Sequence, residues 1–142
     1  MVEKEEIRAR ISGKLAVLDE ILSVLKDSVP SNLEEYEDSE LRVKWEAERG
    51  LQLVSEVELD IIAMLNKLLT KGVVGEEKSM ITSVSKELGE GIAKAVMERR
   101  KLRNELVHAY TIKRDREVFE QAINLEDVLK FKKAVMALLR ER

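Results

Sequence analysis

The sequence predicts an all-α protein, a single-domain four- or five-helix up-and-down bundle. Apolar residues recur at intervals of three and four along the chain, and no convincing alternating strand pattern appears. The chain has 142 residues, enough to bury one core but too few for two ordinary ones. We therefore expect one domain over 1–142.

The first two predicted helices carry long apolar stripes. The first stops near Pro30, and the second, the longest, covers about 39–69 with Gly72 just beyond its end. Gly50 inside the second helix costs about 1 kcal/mol relative to alanine, so it indicates a bend or a close helix crossing. The residues expected to face the core are Ile7, Ile11, Leu15, Leu18, Leu22, Leu25, Leu41, Trp45, Val54, Ile61, Leu65 and Leu68.

The remaining predicted helices are shorter, and residues typical of helix ends indicate where they start and stop. A third helix over about 79–88 is closed by Gly89, and a fourth covers about 92–109. Asp115 can cap a last helix, which returns to the core. Its expected core residues are Val118, Ala122, Leu125, Leu129, Val135 and Leu139, and the methionines are also expected in the core.

Composition argues against several classes of protein. The chain has no cysteine and one histidine, which excludes disulfides and thiolate metal sites and argues against a zinc site. We expect no metal and no cofactor. The first residues are charged and no apolar run approaches the roughly 20 residues of a membrane helix, so we expect a cytoplasmic protein without a signal peptide.

Charge is distributed unevenly along the chain, although the net charge is only -3. Acidic residues crowd 34–60, whereas basic residues surround the single histidine, His108. The basic residues form either a solvated helix face that balances an acidic neighbour or a surface that binds phosphate. They are Arg99, Arg100, Lys101, Arg103, Lys113, Arg114 and Arg116.

His108 and its neighbours have a spacing suited to phosphate chemistry. Histidine exchanges a proton near neutral pH, and arginine can hold a phosphate through its planar fork of donors. Asn104 and His108 share one helix face, and Arg103 and Tyr110, seven apart, share an adjoining one. Arg103 and His108 are about 140° apart on an ideal helix, so they converge only if the arginine reaches across or the helix loosens.

These residues resemble a known family, the HepT-like toxins of the HEPN superfamily. Arg103, Asn104, His108 and Tyr110 match its R-N-x-x-x-H-x-Y signature in full. The stretch 48–61, which reads E-R-G-L-Q-L-V-S-E-V-E-L-D-I, is similar to the family's long second helix. The resemblance covers nearly the whole chain and implies a HEPN-like fold. Such toxins are encoded beside a minimal nucleotidyltransferase called MntA.

The resemblance implies a metal-independent endoribonuclease toxin of a toxin-antitoxin pair. His108 would transfer a proton, Arg103 would stabilise negative charge on the phosphate, and Asn104 would orient either the histidine or the phosphate. The family also implies a homodimer with a shared site, and adenylylation of Tyr110 by the MntA-type antitoxin. The expected substrate is single-stranded RNA or tRNA. The residues expected to bind RNA are Arg99, Arg100, Lys101 and Lys113.

Plainer interpretations remain open. His108 near a helix end is compatible with a dipole partner or a packing residue, and Tyr110 with a side chain wedged against the next helix. Glu56 and Asp60 either pair with Arg103 or its neighbours, or are surface carboxylates. The alternative function is a non-catalytic helical partner that binds nucleotide or docks the nucleotidyltransferase.

Overall fold

The computed structural model describes residues 2–72, 75–108 and 115–141, with the side chains of Val2 and His108 left out. Within these ranges it contains helices and no strand, so the predicted all-α class is confirmed, with more helices than the four or five expected. Among the described helices, none is both long and apolar enough to cross a membrane. The helices are α1 Val2–Ser28, α2 Leu33–Glu37, α3 Leu41–Leu68, α4 Glu77–Leu88, α5 Glu90–His108, α6 Asp115–Ile123 and α7 Glu126–Glu141.

The antiparallel pair α1 and α3 forms the centre of the core. Leu25, near the end of α1, lies against Gly50, and Lys14 pairs with Asp60 at 3.2 Å nearer the other end of α3. A Cβ built on Gly50 would approach the Leu25 Cδ2 atom to 2.5 Å. The glycine is therefore required by a close helix crossing, one of the two roles expected for it.

α4 and α5 form a hairpin that packs on α3. Asn66 of α3 is buried, and its Nδ2 donates to the carbonyl oxygens of Ile62 and of Met80 in α4. Gly89 ends α4 with a φ of 104°, a value that favours glycine, and α5 begins at the next residue. The bond to Met80 fixes the start of α4 relative to the core, and the turn at Gly89 sets where α5 begins.

Two helices differ from the predicted pattern. The five-residue helix α2, capped by the Asn32 side chain, buries Tyr36 against Phe119 of α6 with ring centroids 5.7 Å apart. The predicted last helix is two helices, because the chain breaks between Ile123 and Glu126.

Most of the predicted core is buried, and the exceptions have geometric causes. Leu41 and Trp45 are 58% and 62% exposed, so their assignment to the core was wrong. Ala47 lies two residues from Trp45, about 200° around an ideal helix, and is fully buried, so Leu41 and Trp45 lie on the face of α3 that is turned away from the core.

Leu129 is also exposed, and Val128 is buried in its place. The break between α6 and α7 shifts the apolar face relative to one continuous helix. Of the methionines, which were all expected in the core, Met80 is buried and Met136 is exposed. The predicted core residues confirmed as buried are Ile7, Ile11, Leu15, Leu18, Leu22, Leu25, Val54, Ile61, Leu65, Leu68, Val118, Ala122 and Val135.

Candidate functional site

α5 carries the motif residues that the structure describes, and it remains helical through His108. Arg103 and His108 therefore do not converge by loosening of the helix between them, which was one of the two possibilities. The side chain of His108, and the whole of Tyr110 and Lys113, lie outside the described residues.

The guanidinium of Arg103 reaches across α5 to the neighbouring row of side chains. Its Nη2 donates to Asn104 Oδ1 at 3.1 Å and to Glu77 Oε1 at 2.9 Å. Asn104 lies one helical turn before His108 on the same face. The long arginine side chain thus brings its charge toward the row that ends in His108.

Glu77, the first residue of α4, bridges two arginines of α5. Its Oε1 accepts from Arg100 Nε at 2.7 Å as well as from Arg103. Partial burial raises the pKa of Glu77, but the hydrogen bonds and charges of the two arginines outweigh burial and hold the pKa below its usual range. The side chain is therefore a carboxylate at neutral pH.

Glu77 was not among the carboxylates that the sequence offered as partners of these arginines, which were Glu56 and Asp60. Glu56 lies 3.9 Å from Arg49, and Asp60 pairs with Lys14. Both acids are surface carboxylates, which was the second of the two interpretations. No periodic signal marks Glu77, because its contact with α5 depends on the geometry of the α4–α5 hairpin.

Arg99 lies in the core, against the expectation that it binds RNA. Its side chain is 7% exposed, and its Nε and Nη2 donate to the two carboxylate oxygens of Glu58 at 2.8 and 2.6 Å. Glu58 is fully buried, and burial raises its pKa more than the charge of Arg99 lowers it. Arg99 is therefore occupied by an internal partner, and we no longer assign it to RNA.

A cleft of about 710 Å³ between α4 and α5 is continuous with the motif. Asn104 lines this cleft together with two of the predicted RNA-binding residues, Arg100 and Lys101. Lys78 and Lys94 line it too and were missed by the sequence analysis, although Lys94 lies seven residues before Lys101 on the same helix face. The cleft has four cationic side chains near the motif, and the two carboxylates of Glu98 and Glu105 line it as well.

The groove on the other side of α5 carries an excess of acidic side chains. A groove of about 550 Å³ between α5 and the helices α6 and α7 is lined by Glu98, Glu105, Glu117, Glu120 and Asp127. Arg99 and Lys101 line the groove too, which gives it two cations against five carboxylates, whereas the cleft has four cations against two. This balance favours an anionic ligand in the cleft between α4 and α5. In the part of the chain that the structure describes, no group of three acidic, cysteine or histidine side chains could hold a metal ion.

No protein-family model matches the chain, and no curated protein matches its sequence. Solved structures do match it in fold. One is a toxin-antitoxin complex with AMP-PNP, 18% identical, with a TM-score of 0.79 over 89% of this chain and 97% of that one.

A second is the tri-AMPylated HEPN toxin of Shewanella oneidensis in complex with its MNT antitoxin, 18% identical, with a TM-score of 0.80 over 89% of this chain and 96% of that one. A third is a mutant MntA–HpeT toxin-antitoxin complex, 18% identical, with a TM-score of 0.78 over 89% of this chain and 97% of that one. The HEPN-like fold implied by the motif is therefore confirmed.

Proposed function

We propose that this chain, which has the fold of a HEPN toxin, is the toxin of a toxin-antitoxin pair and acts as a metal-independent endoribonuclease. The observation that carries the proposal is the position of the R-N-x-x-x-H-x-Y motif within that fold. It begins on the last turns of α5, where the Arg103 guanidinium turns toward the row of Asn104 and His108. The four cationic residues of the adjoining cleft suit an RNA backbone.

The proposed reaction is an internal transfer of the phosphate. A base removes the proton of the ribose 2'-hydroxyl, that oxygen attacks the adjacent phosphorus, and an acid protonates the departing 5'-oxygen. The products are a 2',3'-cyclic phosphate and a 5'-hydroxyl. His108 serves as one of these two groups, a contribution of roughly 100- to 10,000-fold to the rate. Arg103 stabilises the negative charge on the phosphate oxygens, and Asn104 orients the arginine or the histidine.

Two proton transfers and one histidine per chain favour a homodimer as the working unit. A two-fold axis near the end of α5 would bring two copies of His108 and Arg103 to one phosphate. The substrate is single-stranded RNA or tRNA, because in-line attack requires a flexible strand. Arg100, Lys101 and Lys113 are the proposed contacts to its backbone.

The proposed partner is an MntA-type nucleotidyltransferase that adenylylates Tyr110. The solved neighbours support this proposal, since one is a tri-AMPylated HEPN toxin with its antitoxin and another is a complex with AMP-PNP. AMP on Tyr110 would add bulk and negative charge two residues from His108. Both effects would oppose binding of RNA.

Cleavage of labelled single-stranded RNA and tRNA in the presence of EDTA tests the proposal. The protein should be shown to be unmodified by mass spectrometry, and its products analysed for their end groups. We expect cyclic-phosphate ends from the wild type and none from His108→Ala. Absence of cleavage by the unmodified wild type, or equal cleavage by His108→Ala, would contradict the proposal.

The alternative is a non-catalytic partner that docks the nucleotidyltransferase or binds nucleotide. It is favoured by the fact that the solved neighbours are toxin-antitoxin assemblies. Under this alternative His108→Ala still binds the transferase, and the wild type has no cleavage to lose. Size-exclusion chromatography of each protein with the transferase, run beside the cleavage assay, distinguishes the two functions.

A further inference from the structure

Arg100 and Arg103 are like charges on one face of α5. They are three residues apart and therefore neighbours on the helix surface. Their side chains are only 19% and 15% exposed, so water screens their repulsion less than on an open surface. Without an anion between them, the two guanidiniums would move apart.

Glu77 supplies that anion from a different helix. One carboxylate oxygen of Glu77 accepts from both arginines, at 2.7 and 2.9 Å. The helix that carries it is held to the core three residues later, where Asn66 donates to the Met80 carbonyl oxygen at 3.1 Å. The carboxylate is thus carried by a helix that is fixed to the core, not by a loop.

The same contact orients Arg103. Its Nη2 carries two hydrogens, of which one is directed to Glu77 and the other to Asn104. Two acceptors on different helices therefore fix the plane of the guanidinium. Both of these bonds use Nη2.

We infer that Glu77 is a positioning residue for the proposed cleavage, holding the Arg103 guanidinium beside Asn104, one helical turn before His108. The inference rests on the proposed function. Glu77 touches no reacting atom: it acts on the cleavage step through Arg103, and it also holds Arg100, a proposed contact to the RNA backbone. Its negative charge also lies near the proposed path of the RNA backbone. Glu77 therefore orients Arg103 but lowers the affinity for RNA.

This dual effect predicts that kcat and KM change independently when Glu77 is replaced. Loss of orientation should lower kcat by about 10- to 100-fold, because small misplacements of a catalytic group are costly. Loss of the negative charge should leave KM unchanged or lower it by about threefold. If Glu77 only joined α4 to α5, its replacement would lower thermal stability but would not change kcat and KM in these separate ways.

The experiment compares Glu77→Ala, Glu77→Gln and Glu76→Gln in the full chain without antitoxin, using single-stranded RNA. Glu77→Gln keeps the accepting oxygen but loses the charge, so its kcat should fall less than that of Glu77→Ala. Glu76→Gln removes the same charge one residue earlier, from an exposed side chain that makes no capping bond. It should cleave like the wild type. Affinity for a 2'-O-methyl RNA, which cannot be cleaved, measures binding separately.

Each outcome decides the inference. A fall in kcat ordered Ala, Gln, wild type, with undiminished affinity for the 2'-O-methyl RNA, supports it. A kcat equal to that of Glu76→Gln overturns it, as does a fall in kcat explained by loss of folded protein in a thermal melt. If the unmodified wild type cleaves nothing, the proposed function and this inference both fail, which differs from failure of the inference alone.

Discussion

Two arginine–glutamate contacts lie one helical turn apart on α5 and serve different ends. Arg99 and Glu58 are 7% and 0% exposed and form a bidentate pair in the core. Arg103 and Glu77 are 15% and 32% exposed and share a single carboxylate oxygen with Arg100. The residue types are the same, but only the second contact leaves an arginine within reach of an external phosphate. Burial, rather than residue type, separates the structural pair from the candidate site.

The largest expected effect is on stability and follows the buried pair. Arg99→Ala should lower the free energy of unfolding by about 3–5 kcal/mol, because it leaves Glu58 buried without a partner. Urea denaturation measures this loss. The double variant Glu58→Met with Arg99→Met should be neutral or more stable by about 1–4 kcal/mol, since it removes both charges together. A loss below about 1 kcal/mol for Arg99→Ala would contradict the role assigned to the pair.

The next effect is on catalysis and follows the exposed contact. Arg103→Ala should lower kcat by about 100- to 1000-fold, because it removes the main source of charge stabilisation at the phosphate. Its free energy of unfolding should fall by about 1 kcal/mol or less, since the pair with Glu77 is partly exposed. RNA cleavage and urea denaturation of one preparation measure both quantities. If Arg103→Ala lost as much stability as Arg99→Ala, or cleaved RNA at the wild-type rate, the two contacts would not have the different roles assigned to them.

The smallest effect is on the pH dependence of stability. The arginines lower the pKa of Glu77 below the usual 4.5, so its contribution to stability is present at neutral pH. That contribution is lost as the pH falls through the lowered pKa. Burial raises the pKa of Glu58, so its contribution has the opposite sign and declines as the pH rises through that pKa.

Between neutral pH and about pH 3, the wild type should therefore lose about 0.5 kcal/mol more stability than Glu77→Gln. Urea denaturation at both pH values measures the difference, with Glu76→Gln, which removes an exposed carboxylate one residue earlier, as the matched control. An equal loss in the wild type and in Glu77→Gln would show that the arginines do not stabilise this carboxylate.

The sequence predicts the helices where local chemistry marks their ends. Gly89 and Asp115 lie at observed boundaries, and Gly50 marks a close crossing because only a hydrogen fits beside Leu25. The helix α2 was missed although Asn32 caps it in the expected manner, accepting from the backbone nitrogen of Glu35. Trp45 is exposed because it lies nine residues before Val54, about 180° away around an ideal helix, and therefore outside the apolar stripe, whereas Ala47 at the same level of α3 is fully buried.

The site could be predicted only in part. The motif gives Arg103 and Asn104, but Arg99 is four residues before Arg103 and looks equivalent in sequence. The signal that separates them is Glu58, which lies on the apolar stripe between Val54 and Ile61 and, as a buried carboxylate, requires a cationic partner. Glu77 has no such signal, because its partners depend on how α4 packs on α5.

The most direct test of the different roles of the Arg99–Glu58 pair and the Arg103–Glu77 contact compares RNA cleavage by two variants. One is Arg103→Ala, and the other is the double variant Glu58→Met and Arg99→Met. Circular dichroism should first show that each variant is folded. The account predicts a folded but inactive Arg103→Ala protein and a folded double variant that cleaves RNA at close to the wild-type rate. Loss of cleavage by the folded double variant, or cleavage by Arg103→Ala at the wild-type rate, would contradict it.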